Sequence, residues 1–213
     1  MGIVAEDHAL KELRKLRLVE PADDAGETDG RRRRSQDSRA RIVGAMLDLV
    51  REGEVSPGAE TVAARAEVGL RTVFRHFKDM DSLYGEMSHA MEVEVRKVAA
   101  QPLRGDTAHD RVLELIERRS TAFEKIAPFK HAADAHRHYS KVLQAGHTRL
   151  VNESREILRR LAPAEVSADP LKLEALDLLL SFEAWSRLRR EQGLSIEKTR
   201  DVLALAVQRV LEA

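Results

Sequence analysis

Arg71 and Arg75 fall four apart in a stretch that reads as helix, with Thr72 beside the first. Residues four apart share one helix face. A guanidinium can donate two parallel hydrogen bonds to O6 and N7 of guanine, and a threonine methyl can touch the methyl of thymine. Leu70, Phe74 and His76 belong to the same segment, and Lys78 follows it with a charge suited to phosphate. Upstream, Arg31, Arg32, Arg33 and Arg34 form an unbroken block of positive charge. Such a block attracts a phosphate backbone by releasing its counterions. It can equally be a solvated run that aids solubility, but its place just before these helices favours an arm that tracks phosphate or the minor groove. Base-edge donors on one helix and a basic arm nearby point to double-stranded DNA.

Other chemistries leave weaker traces. His131, Asp134, His136 and His138 gather in one segment, and Asp134 and His138 would share a face. Two ligands on one turn fall short of a metal site, and no H-E-x-x-H pattern supports one. The chain has no cysteine, which removes disulfides, thiolate ligands and a catalytic thiol. No nucleophile elbow, phosphate-binding glycine loop or catalytic carboxylate pair stands out, so neither an enzyme nor a cofactor is expected.

The segment that must carry the arginines is ETVAARAEVGLRTVFRHF, from Glu60 to Phe77. It reads as two short helices around the break Glu67-Val68-Gly69. Ala63 and Ala66 are small where the helices must approach, and Val62, Val68, Val73 and Phe77 can close a core. This is a helix-turn-helix, whose second helix is shaped to enter the major groove.

The segment resembles the N-terminal domain of TetR-type transcriptional regulators. Val62, Ala63, Ala66, Val68, Thr72, Val73, Phe74, His76 and Phe77 stand at the positions of that family's pattern, and the preceding helix ends at Gly53 as the family's first helix does. The chain departs from the pattern in four places. Glu67 replaces the turn glycine, where positive φ is needed at a cost of about 1 kcal/mol. Gly69 replaces a serine cap, Phe74 a tyrosine and Met80 a lysine. The resemblance implies a homodimer that binds operator DNA, usually as a repressor, and leaves it when a small-molecule effector binds the C-terminal domain. The alternative is a small-molecule-binding or protein-interaction module with a weakened helix-turn-helix.

Composition agrees with an all-α fold. Of 213 residues, 43% are hydrophobic, 34% charged and only 4% aromatic. Strand-like alternation is almost absent, and Ala, Leu, Glu and Arg dominate. Net charge is zero, so attraction to DNA must come from where the charges lie. Residues 1–30 read as an acidic, flexible extension with a short amphipathic helix over His8–Val19. Residues 31–80 read as the helix-turn-helix domain, and 81–213 as a helical effector-binding and dimerisation domain. No run is apolar enough for a membrane span and no signal peptide is evident, so a cytoplasmic location is expected.

The periodicity predicts a first helix from about Ser35 to Glu52, and a second opened by Ser56 and Pro57. A helix should end near Ile126, with Pro128 opening the next. Another should run unbroken from Leu171 to Glu191, apolar over most of its circumference, and the last should reach the C-terminus. By the resemblance, these last two helices pair in a dimer, with Leu176, Leu179, Leu180, Leu203, Val207 and Val210 at the interface. An effector cavity is expected among Met87, Met91, Phe123, Phe129, Tyr139, Phe182 and Trp185, with His136 and Glu183 as polar anchors.

Overall fold

The computed structural model describes residues 26–212. The short helix expected over His8–Val19 lies outside them. Every regular element among the described residues is helical.

Helix α1 (Gly26–Arg51) starts earlier than expected and includes residues read as acidic linker. It ends at Gly53, whose φ of 104° is open only to glycine without strain. The Gly53 amide donates to Val50 O at 3.1 Å and the Glu54 amide to Leu49 O at 3.0 Å, which satisfies two terminal carbonyls. Helix α2 (Ala59–Arg65) is capped by Gly58, not by Ser56. The Ser56 hydroxyl is instead bonded to His136, 80 residues away. Helix α3 (Leu70–His76) follows the turn.

Asp79 caps the long helix α4 (Met80–Ala99) through the Ser82 amide, at 2.8 Å. Thr107 and Asp110 form a capping box at the start of α5 (Ala108–Arg137). This helix runs straight through Pro128, where the sequence predicts a break. Helices α6 (Lys141–Leu161), α7 (Ala164–Ser167) and α8 (Pro170–Leu179) follow, capped in turn by Ser140, Pro163 and Asp169. The expected unbroken helix to Glu191 stops after Leu179. Ser181 caps a new one, α9 (Phe182–Ser186), which passes into a π-helical turn at Arg187–Glu191. Helix α10 (Ile196–Glu212) completes the fold.

Two apolar clusters hold these elements together. The first joins Ile42, Met46 and Val50 of α1 to Val62, Val73 and Phe77 of the helix-turn-helix. It continues into Leu83, Tyr84 and Met87 of α4 and Phe129 and Ala132 of α5. This cluster therefore draws residues from both sides of position 80. The second cluster packs Val112, Leu115 and Ile116 of α5 against Leu176, Leu180, Trp185, Leu203 and Val207.

Candidate nucleic-acid interface and ligand cavity

The turn between α2 and α3 is built on Glu67, at φ 54° the sole non-glycine residue with positive φ among those described. Its amide donates to Ala64 O at 3.2 Å, and the Val68 amide donates to Ala63 O at 3.0 Å. These bonds form a Schellman closure that aims α3 away from α2. Arg65 grips Glu52 with two bonds of 2.8 and 2.6 Å, tying the end of α2 to the end of α1.

Helix α3 turns Val73 inward, and Phe77 just beyond it is also buried. The Arg39 guanidinium lies 4.9 Å from the Phe77 ring centroid and pairs with Glu86 of α4 at 2.5 Å, so α1, α3 and α4 are held together. Leu70, Arg71, Phe74, Arg75 and Lys78 are exposed, and Thr72 and His76 are half-buried. Burial, helped by the charges of Arg75 and Arg39, pulls the His76 imidazole below its ordinary value. Among the described residues neither Arg71 nor Arg75 is ion-paired, which leaves their donors open to a ligand. The basic block differs from the expected arm. Arg31, Arg32, Arg33 and Arg34 lie inside α1, where helical geometry spreads them around the axis. Arg32, Arg33 and Arg34 are exposed there.

Behind this face, α4, α5, α6 and the α8–α9 junction enclose a cavity of about 440 Å³. Phe123, Phe182 and Glu183, which the sequence reading assigns to an effector site, line it. A second space of about 90 Å³ touches Met91 and Phe129. The other expected anchors stand elsewhere. Met87 is wholly buried in the first core, because its α4 face packs on the helix-turn-helix. Tyr139 is 94% exposed, since α5 ends before it. His136 faces Ser56 and stacks on Tyr84, with ring centroids 4.1 Å apart. Trp185 belongs to the second core, donating from Nε1 to Glu124 at 2.9 Å, with its ring 6.4 Å from Phe123.

Residues that sequence reasoning passed over also line the cavity, notably Arg119, Lys130, His147 and Asp177. Arg119 had a legible signal. It sits in the inward stripe of α5 with Val112, Leu115, Ile116 and Phe123, where a charge is out of place. The four residues considered for a metal do not converge. Lys130 and Arg137 hold Asp134, and His138 is exposed. Among the described residues no group of three or more suitable side chains could hold a metal ion.

The expected dimer surface needs correction. Leu176, Leu180, Leu203 and Val207 are buried in the protomer's own second core and cannot face a partner. Leu179 and Val210 are half-buried against the same core. The apolar residues that α8 and α10 leave outside are Leu171, Leu178, Val202 and Leu205. Leu171 and Leu178 are seven apart, on one face, at 81% and 65% exposure.

No family model matches the chain, and no curated protein matches it. Solved structures do. The multidrug binding protein EbrR complexed with imidazole aligns with a TM-score of 0.59 and 21% identity, over 79% of this chain and 88% of that one. A TetR transcriptional regulator from Rhodococcus sp. RHA1 aligns with a TM-score of 0.55 and 19% identity, over 83% of this chain and 96% of its own. A second transcriptional regulator from Rhodococcus sp. RHA1 gives 0.59 and 16%, over 82% and 96%. This is the TetR-type fold. In the TetR-type fold of this chain, α1 to α3 form the helix-turn-helix unit and α4 to α10 the helical C-terminal body. Among the described residues no helix is long and apolar enough to cross a membrane.

Proposed function

We propose that this chain is a homodimeric transcriptional regulator that represses genes by binding operator DNA and releases it when a small-molecule effector occupies the larger cavity. The observation that carries this reading is the open face of α3. Arg71 and Arg75 stand exposed and unpaired among the described residues, with Thr72 between them, on a helix anchored through Val73 and Phe77. That is the arrangement base reading in the major groove requires. Exposed Lys78, and those arginines of α1 that face the duplex, supply phosphate contacts. Leu171, Leu178, Val202 and Leu205 form the dimer face, which sets the spacing of two recognition helices. An effector that prefers a differently spaced pair lowers operator affinity by its differential affinity for the two states.

Selection of bound sequences from random duplexes tests the reading. It should return a palindromic site with half-sites about one helical turn apart. Arg71→Ala or Arg75→Ala should then weaken that site by about 1–3 kcal/mol and relax its sequence preference. Equal losses on selected and random DNA would reduce the arginine to a phosphate contact, and no enrichment at all would defeat the regulator reading.

A further inference from the structure

The larger cavity has an apolar body and one unusual charge. Arg119 projects from the inward stripe of α5 and lines the space. Its two hydrogen bonds go to neutral backbone carbonyls, Leu180 O at 2.8 Å and Ser154 O at 3.0 Å. Among the described residues no carboxylate lies within 4 Å of it. A guanidinium has five N–H donors, so donors remain for a further acceptor. Most neighbouring cations differ in having a carboxylate partner. Arg96 is paired with Glu153 and Glu92, Arg118 with Glu114, and Lys130 with Asp134 and Glu183. Arg111, which also lines the cavity, donates to the carbonyls of Gly105 and Asp106.

Asp177 is the acid on the wall that acts on Arg119, through space and without an ion pair. Burial draws the Arg119 guanidinium down to about 10, against the opposing pull of Asp177, and it stays cationic at neutral pH. A half-buried cation without a carboxylate partner keeps only part of its hydration, and an incoming anion would satisfy its free donors. Six cationic side chains line the cavity against three anionic ones, although the whole chain is neutral. His147, which also lines the cavity, has an Nδ1 with no partner. The volume falls within the roughly 300–1,000 Å³ of small-molecule sites.

We propose that this cavity takes an amphiphilic monocarboxylate, its carboxylate on Arg119 and its hydrocarbon body among Phe123, Ile126, Leu150 and Phe182. The proposal rests on the reading of the cavity as the effector site. It narrows that reading to one ligand class. A planar guanidinium matches a carboxylate with two parallel bonds, which neither an alcohol nor an amine can form.

The test is calorimetric titration of the full-length protein with octanoate, dodecanoate and 4-butylbenzoate, each beside the alcohol and the amine of the same skeleton. The acids should bind at least about tenfold more tightly than their alcohols, and the amines most weakly. Arg119→Met should abolish the preference, weakening the acids far more than the alcohols, and Arg119→Lys should restore part of it. An arginine that merely braced Leu180 and Ser154 would shift the melting temperature without changing the acid-to-alcohol ratio. Should Arg119→Met fail to fold, the wild-type series alone decides. Alcohols or amines that bind as well as the acids, or no binding by any acid, overturn the proposal. Operator affinity followed in parallel separates the two readings. Acids that bind preferentially without weakening operator binding leave the anion site standing and defeat the effector role. Alcohols or amines that bind without preference and release the operator do the reverse.

Discussion

Ser56 Oγ and His136 Nε2 lie 3.1 Å apart, joining the entry to α2 with the last turn of α5. Tyr84 of α4 stacks against the same imidazole, so three elements meet on one ring. The contact ties the helix-turn-helix to the helix that walls the cavity. His136→Ala removes one exposed hydrogen bond and one aromatic contact, and should lower stability by about 1–2 kcal/mol. Urea unfolding measures it. If effector binding reaches α3 through this joint, His136→Ala also narrows the gap between operator affinities with and without effector. An unchanged gap would place the coupling elsewhere, in α4.

Leu178 and Leu203 separate assembly from folding. Leu178→Asp puts a charge on the outer face of α8 and should yield a folded monomer by sedimentation, with operator affinity reduced. Leu203 is only 5% exposed. Leu203→Asp should destabilise the fold itself by several kcal/mol, because a carboxylate there has no partner in an apolar core. A Leu178→Asp protein that keeps the wild-type mass would remove the proposed interface.

The turn of the helix-turn-helix should be open to improvement. Glu67 holds a left-handed conformation that costs a side-chain residue roughly 1–2 kcal/mol, against about 0.5–1 kcal/mol of extra chain entropy for glycine. Glu67→Gly should therefore stabilise by up to about 1 kcal/mol. Gly69 caps α3 with ordinary extended geometry, and a Cβ there would meet open space. Gly69→Ser should add a few tenths of a kcal/mol through a side-chain cap. A lower urea midpoint for either variant would contradict this account of the turn.

Stability should fall in mild acid. Burial is the leading cause that holds His76, His131 and His147 below their ordinary value. Neighbouring Arg75, Arg190 and Lys130 respectively add to it. Below about pH 6.5 the unfolded chain takes up protons that these folded imidazoles refuse. The stability is complete above that pH and is lost as pH falls toward the lower folded values. Urea midpoints at pH 7.5, 6.5 and 5.5 should decline in order, less steeply in His76→Gln. The window stays above the titration of Asp79, Asp110 and Glu124, which their hydrogen bonds hold low. A flat profile would show that the imidazoles protonate freely in the folded state.

The helix-turn-helix was legible because its core, its turn and its exposed arginines are fixed by spacing within one short segment. Even the strain at Glu67 could be anticipated from residue type. The C-terminal half was less so. Local rules place a break at Pro128, yet Ile126, Phe129 and Ala132 bury on both sides of it and carry the helix through. An apolar run from Leu171 onward shows that two sides must be covered, but not which side is inside. Packing of α8 in the second core settles that, with Leu173, Leu176 and Leu180 inward and Leu171 and Leu178 left out. Arg119 was visible as a charge in an apolar stripe, but nothing local shows that its carboxylate partner is missing.

Pro128 has no amide hydrogen, so α5 lacks the rung that would return to the Glu124 carbonyl. On one side of that gap α5 serves the second core and the cavity, through Leu115, Arg119 and Phe123. On the other it serves the first core and Ser56, through Phe129, Ala132 and His136. The missing rung, in the longest helix among the described residues, therefore lies between the half of α5 that lines the larger cavity and the half that packs on the helix-turn-helix. An unbroken ladder would couple both ends rigidly, whereas a missing rung lowers the cost of bending at that point. Amide exchange along α5 should reveal a hinge, with protection dipping around residue 128 and recovering on either side.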